Sequence, residues 1–185
     1  QAFLAAAPAT PTQRAEAMRR LGDREMALAD KRLADGAVPD YQAAIQRYQA
    51  YLAANPRDAD NDRVLYQLAR AQEQGGQLDA ATATLDRLLQ SHPDTRYRDE
   101  VEFRHGELRF TARQYAQAEA AYSQVLQAGA GNPLRDRALY MQGWSRYKQG
   151  RLEDALESFF GVLEIKLSGQ VGVADDTPLA RLPGL

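Results

Sequence analysis

Ala44, Ala81, Ala118 and Ala155 stand 37 residues apart, and each lies within the same run of apolar neighbours. A period of this length marks units that cannot bury their apolar faces alone and must stack on one another. Three residues before each alanine come Tyr41, Leu78, Tyr115 and Leu152; four after come Tyr48, Leu85, Tyr122 and Phe159; eight after come Leu52, Leu89, Leu126 and Leu163. These offsets share one stripe of an α-helix, which makes this the second helix of each unit. Twelve residues before the alanines lie Ala69, Gly106 and Gly143. Small residues at both positions predict close antiparallel helix pairs, with aromatic or leucine side chains filling the space around them.

The turns are punctuated in register. Pro56 and Pro93 each fall twelve residues after an anchor alanine, where proline stops a helix. Asn132-Pro133 predicts a helix N-cap followed by proline at the first helical position. Gly75-Gly76 and Gly150 mark the turn between the two helices of a unit. Asp62, Asp99 and Asp136 fit helix N-terminal turns, where the helix dipole favours negative charge.

With these positions in hand, the chain resembles the tetratricopeptide repeat: small residue, twelve-residue step, alanine, then Tyr or Phe, Leu and Pro. The resemblance implies an all-α, right-handed superhelical solenoid of antiparallel helix hairpins, here with a period of 37 in place of about 34. It covers residues 1–167. The stretches Val64–Phe110 and Ala138–Phe160 are similar in style to the longer repeats of the Gram-negative envelope, such as the periplasmic proteins accompanying the Tol–Pal and outer-membrane assembly machineries. That likeness implies a periplasmic or outer-membrane-associated location, with a cytoplasmic one as the alternative.

Two irregularities stand out. Gln1–Pro8 matches Gln49–Pro56 at six of eight positions, so the chain reads as opening inside the second helix of a preceding unit, a half repeat ahead of four hairpins. This is the pattern expected of a fragment of a larger protein. Between Gly22 and Ala44 the step is 22 residues instead of twelve, which predicts that ten extra residues lengthen the first helix over Arg14–Ala34. The insertion reads either as neutral or as a projecting arm with Met26, Leu28, Ala29 and Leu33 on an apolar edge. Ser168–Leu185, with its prolines and glycines, reads as a linker or exit segment, with docking of Leu179–Leu185 on the last hairpin as a second reading.

Composition narrows the function. A net charge of −2 lacks the basic footprint of a nucleic-acid binder, and no apolar run reaches the roughly 18 residues that span a membrane. Without cysteine there are no disulfides, thiolate nucleophiles or cysteine metal sites. His92 and His105 have no second histidine at helical spacing, no phosphate-cradling glycine loop is present, and no nucleophile elbow occurs. No enzyme, metal or cofactor is expected.

Surface recognition remains. In tetratricopeptide arrays the first helix of each hairpin lines the concave groove, and the resemblance places Arg63, Tyr66, Gln67, Arg70 and Glu73 there from the second unit. The third contributes Glu100, Phe103, Arg104, Glu107 and Phe110, and the fourth Arg137, Tyr140, Met141, Trp144, Tyr147 and Lys148. The partner-binding set expected from these is Arg63, Tyr66, Arg70, Phe103, Arg104, Glu107, Tyr140, Trp144, Tyr147 and Lys148. Arginine interleaved with aromatic residues suits a protein hot spot and an acidic, aromatic-containing or extended peptide. Tyr66, Phe103 and Tyr140 recur at 37 and serve equally well as packing between hairpins. Trp144 replaces Arg70 and Glu107 at its position, and this same set of residues departs from the clamp by which chaperone co-factors grip a C-terminal carboxylate. The expected function is a non-enzymatic scaffold for a protein partner of unspecified identity. The alternatives are a structural spacer or self-associating module, and the substrate-selecting region of a larger enzyme.

Overall fold

The computed structural model describes residues 10–174. Among them every regular element is an α-helix: α1 (Pro11–Ala34), α2 (Gln42–Ala54), α3 (Asn61–Gln74), α4 (Leu78–Ser91), α5 (Arg98–Thr111), α6 (Tyr115–Gln127), α7 (Arg135–Lys148) and α8 (Leu152–Ala174). They form two compact units, with the boundary inside α5 between Val101 and Glu102. The half repeat expected over residues 1–8 and the docking segment expected over 179–185 lie outside the described residues.

In the first unit α1 opens with a capping box: the Thr10 hydroxyl accepts from the Gln13 amide, and the Gln13 side chain accepts from the Thr10 amide. The α1–α2 hairpin closes on Gly22, where an added Cβ would lie 2.6 Å from the Tyr48 ring. The Tyr48 hydroxyl donates to Asp23 at 2.9 Å, and burial beside that carboxylate pushes its pKa far up. In the α3–α4 hairpin the same two positions hold Ala69 and Leu85, both fully buried. The larger small residue meets the smaller knob. Asp62 lies in the first turn of α3 as expected, and also accepts from Thr95 at 2.8 Å.

The long first helix runs to Ala34, but its extra residues are distributed differently from the expectation. Gly22 lies 12 residues before the end of α1 and Ala69 lies 5 before the end of α3, so 7 of the 10 lengthen the helix beyond the turn. That is about 10 Å of helix, and the remainder widens the connection to α2. Met26 and Ala29 are buried, and the Tyr41 hydroxyl, at the N-cap of α2, donates to Asp30 of the extension at 3.0 Å. They therefore do not belong to an exposed edge; Leu28 and Leu33 are exposed.

In the second unit Phe103, Ala118, Tyr122, Val125 and Ala138 form the core. Added Cβ atoms at Gly106 and Gly143 would lie 2.6 Å from the rings of Tyr122 and Phe159, repeating the contact made at Gly22. The Tyr122 hydroxyl is buried without a hydrogen-bond partner, and burial pushes its pKa up. Glu119 on α6 ties down the following hairpin through Arg146 at 2.8 Å, Gln149 at 2.9 Å and Arg151 at 2.7 Å. Burial alone would raise this carboxyl, but the hydrogen bonds from Arg146 and Gln149 and the Arg151 charge hold it below its usual range.

The turn inside each hairpin needs one left-handed residue. Gly76 and Gly150 supply it, at φ 74° and 80°, and at the equivalent place between α5 and α6 stands Arg113 at φ 60°. Asn132-Pro133 does not form the expected cap, since α7 begins at Arg135 with Leu134 at the N-cap. Asn132 instead bridges the turn, accepting from the Leu134 amide at 2.9 Å and donating to the Val125 carbonyl at 3.2 Å. The last helix continues past the boundary set at 167, to Ala174. Two glycines, Gly169 and Gly172, suggest a stop there, yet each costs a helix only about 1 kcal/mol.

Candidate protein-binding groove

In the second unit the first helices α5 and α7 meet α8 around a groove of about 410 Å³ lined by Phe103, Glu107, Asp136, Arg137, Tyr140, Met141, Val162 and Lys166. Its floor is apolar. Phe103 is buried against Tyr122 with ring centroids 5.6 Å apart, and the Arg137 guanidinium lies 4.5 Å above the Phe103 ring. Arg137 also pairs with Glu107 at 3.6 Å, and Lys166 of α8 reaches Asp136 of α7 at 2.8 Å. The Lys166 bond holds the Asp136 carboxyl below its usual range. Each cation of the rim thus has a carboxylate beside it, and the groove carries charge of both signs.

Alongside the groove Trp144 is the hub of an aromatic cluster. Its ring meets Tyr140 at 6.2 Å, Tyr147 at 5.6 Å and Phe159 at 5.7 Å, all edge-on. Trp144 is half-buried, whereas Tyr140 and Tyr147 are each 48 % exposed. Lys148 is exposed beside them, and Arg104 is partly buried on α5. The fourth repeat, within the second compact unit, therefore presents aromatic surface to solvent, held in place by neighbouring rings.

The expected residues of α3, in the first compact unit, are placed otherwise. Tyr66 is buried, stacks on Tyr97 at 5.2 Å and donates to Glu100 at 2.9 Å. Arg63 donates to Asp23 of α1 at 3.4 Å, and Arg70 donates to Gln67 at 3.2 Å. Of the recurring aromatic trio, Tyr66 and Phe103 are packed inside and Tyr140 is open. Val162 and Lys166 complete the groove from a second helix, where first-helix reasoning does not look. Asp136, read from sequence as a first-turn residue, is both that and part of the rim.

No group of three or more potential metal ligands occurs among the described residues, and none of their helices is long and apolar enough to cross a membrane. His105 accepts from Arg109 at 3.0 Å, a bond within one turn of α5.

The fold is shared with solved structures. MamA is 17 % identical, with a TM-score of 0.68 over 86 % of this chain and 82 % of that one. A MamA structure from Desulfovibrio magneticus RS-1 is 19 % identical, with a TM-score of 0.61 over 78 % and 75 %. The nearly identical TPR-like repeats of a putative kinesin light chain from Podosopora anserina are 18 % identical, with a TM-score of 0.64 over 82 % and 77 %. The sequence matches none of the curated proteins with which it was compared. Two sequence patterns of the tetratricopeptide repeat match residues 32–99 and 103–165, between them most of the chain. The all-α hairpins, their register and these matches agree, and the chain belongs to the tetratricopeptide repeat family.

Proposed function

We propose that this chain is a scaffold that holds a protein partner in the groove of its second unit. Membership of the family supports protein–protein interaction as the general role, and tetratricopeptide repeats are typically non-catalytic. The observation that carries the finer reading is the open groove over Phe103, Met141 and Val162, rimmed by paired charges and flanked by exposed Tyr140 and Tyr147. A concave apolar floor with a few polar groups at its edge is how side chains are gripped, and exposed tyrosines beside an arginine are hot-spot chemistry. An extended segment fits: one apolar side chain enters the floor while charged neighbours of either sign meet Arg137 and Lys166 or Glu107 and Asp136. A periplasmic or outer-membrane-associated setting, as part of a larger envelope protein, is proposed with it on the style of the repeat.

Photo-crosslinking in the native cell tests this reading, with a probe at Tyr140 and a control probe at Gln90, which is exposed on α4. A discrete adduct from Tyr140 alone is expected, and its identity fixes the compartment. Equal adducts from both probes, or none from a folded and expressed protein, would contradict it.

A further inference from the structure

Tyr122 carries a buried hydroxyl with no hydrogen-bond partner, and the charges that act on it are those of Glu107 and Arg137, both on the rim of the groove. A buried polar group left unpaired carries a desolvation penalty that one hydrogen bond removes. The α1–α2 hairpin shows how the same position is satisfied. Tyr48, whose ring packs on Gly22 as that of Tyr122 packs on Gly106, donates to Asp23, the residue after that glycine, at 2.9 Å. Asp23 also accepts from Arg63 of the following first helix at 3.4 Å and from Arg19 at 3.3 Å. Glu107, the residue after Gly106, holds the place of Asp23, and Arg137 holds that of Arg63, two repeats on. Phe103 stands where Arg19 does, four residues earlier.

Glu107 is one methylene longer than Asp23, and its carboxylate lies 3.6 Å from Arg137 while the Tyr122 hydroxyl goes unmatched. The side chains of this pair are 39 and 61 % exposed, so solvent screens it and it holds weakly. The guanidinium has a second support that does not involve Glu107, the Phe103 ring 4.5 Å from it. Arg137 is therefore fixed over the groove floor, and the carboxylate now beside it has another donor within the reach that Asp23 demonstrates. These residues lie on α5, α6 and α7, inside the array of hairpins.

We propose that the groove selects a segment with an acidic side chain next to the apolar residue that enters its floor: the partner's carboxylate takes Arg137, and Glu107 turns inward to accept from the Tyr122 hydroxyl. This rests on the groove being the binding site, and gives the segment its chemistry and sign. The exchange replaces one exposed pair by a pair to the partner and a buried, charge-assisted hydrogen bond, so Tyr122 and Glu107 set specificity without touching the partner.

Three peptides test it, each titrated while the Met141 methyl resonance is followed by NMR: acetyl-Leu-Glu-amide, acetyl-Leu-Gln-amide and acetyl-leucine, whose one charge is a terminal carboxylate. The glutamate peptide is expected to bind about tenfold tighter than the glutamine peptide. Arg137→Gln should remove that preference. Tyr122→Phe should cut it by about threefold or more and leave the glutamine peptide unchanged, whereas a packing defect would weaken both peptides alike. Equal binding of the glutamate and glutamine peptides overturns the proposal and leaves the groove standing as the binding site; no shift with any peptide overturns both. Tightest binding by acetyl-leucine, or a preference that survives Tyr122→Phe undiminished, also overturns the proposal.

Discussion

Arg63 and Tyr66 on α3 have their counterparts, two repeats on, in Arg137 and Tyr140 on α7. The residue types are the same and their surroundings differ. Tyr66 is shut in by Tyr97 and Glu100, while Tyr140 is 48 % exposed and meets Trp144 edge-on and Phe159 at a tilt. Arg63 reaches back to Asp23 of α1, and Arg137 reaches back to Glu107 of α5 while also covering Phe103. A repeat position therefore sets which helix face a residue occupies, and the elements that follow decide whether that face is closed. In the first unit the connection into α5 closes it. In the second, α8 borders the face with Val162 and Lys166 and leaves a groove.

The largest effect that could break this contrast lies at the two tyrosines. Tyr66→Ala removes a buried stacked ring and is expected to cost about 3 kcal/mol in urea unfolding, against under about 1 kcal/mol for Tyr140→Ala. Equal losses would mean that the two faces are not differently closed. Next come the hairpin contacts. Gly106→Ala drives a methyl into the Tyr122 ring and should cost about 1 to 3 kcal/mol, less what alanine returns in helix propensity. Adding Tyr122→Leu recreates the Ala69 and Leu85 pairing of the first unit and should recover part of that loss in a double-mutant cycle.

The hydroxyls sharpen the contrast further. Tyr48→Phe gives up a bond to Asp23 and should lose about 1 kcal/mol, whereas Tyr122→Phe relieves an unsatisfied buried oxygen and should be neutral or slightly stabilising. Phe159 already stands at the equivalent position of the fourth hairpin. The smallest change is at Arg113, held in the left-handed region where its equivalents are Gly76 and Gly150. Arg113→Gly should raise stability by up to about 1 kcal/mol, seen as a higher melting temperature.

The hairpins were legible in the sequence because their signals are local and periodic. Anchor alanine, small residue and aromatic knob recur in fixed register, and the contacts at Gly22, Gly106 and Gly143 are those the spacing demands. The groove was half legible. Phe103, Glu107 and Tyr140 follow from their place on first helices, but Val162 and Lys166 belong to α8, a second helix, which an assignment of the groove to first helices leaves out. Nor does the pattern around Tyr66 contain Tyr97 and Glu100, which close over it from about thirty residues away. The Asn132-Pro133 cap was misplaced for a related reason: the asparagine satisfies a turn on both sides instead of a helix end.

The most direct test of the account is a calorimetric titration of the partner captured at Tyr140 against two variants of this chain. One carries Tyr140→Ala, Met141→Ala and Lys166→Ala in the second-unit groove; the other carries Arg63→Ala and Arg70→Ala on α3. A loss of affinity of tenfold or more in the first, with the second within twofold of the unaltered chain, is the predicted result. Equal losses, or a loss confined to the α3 variant, would contradict it.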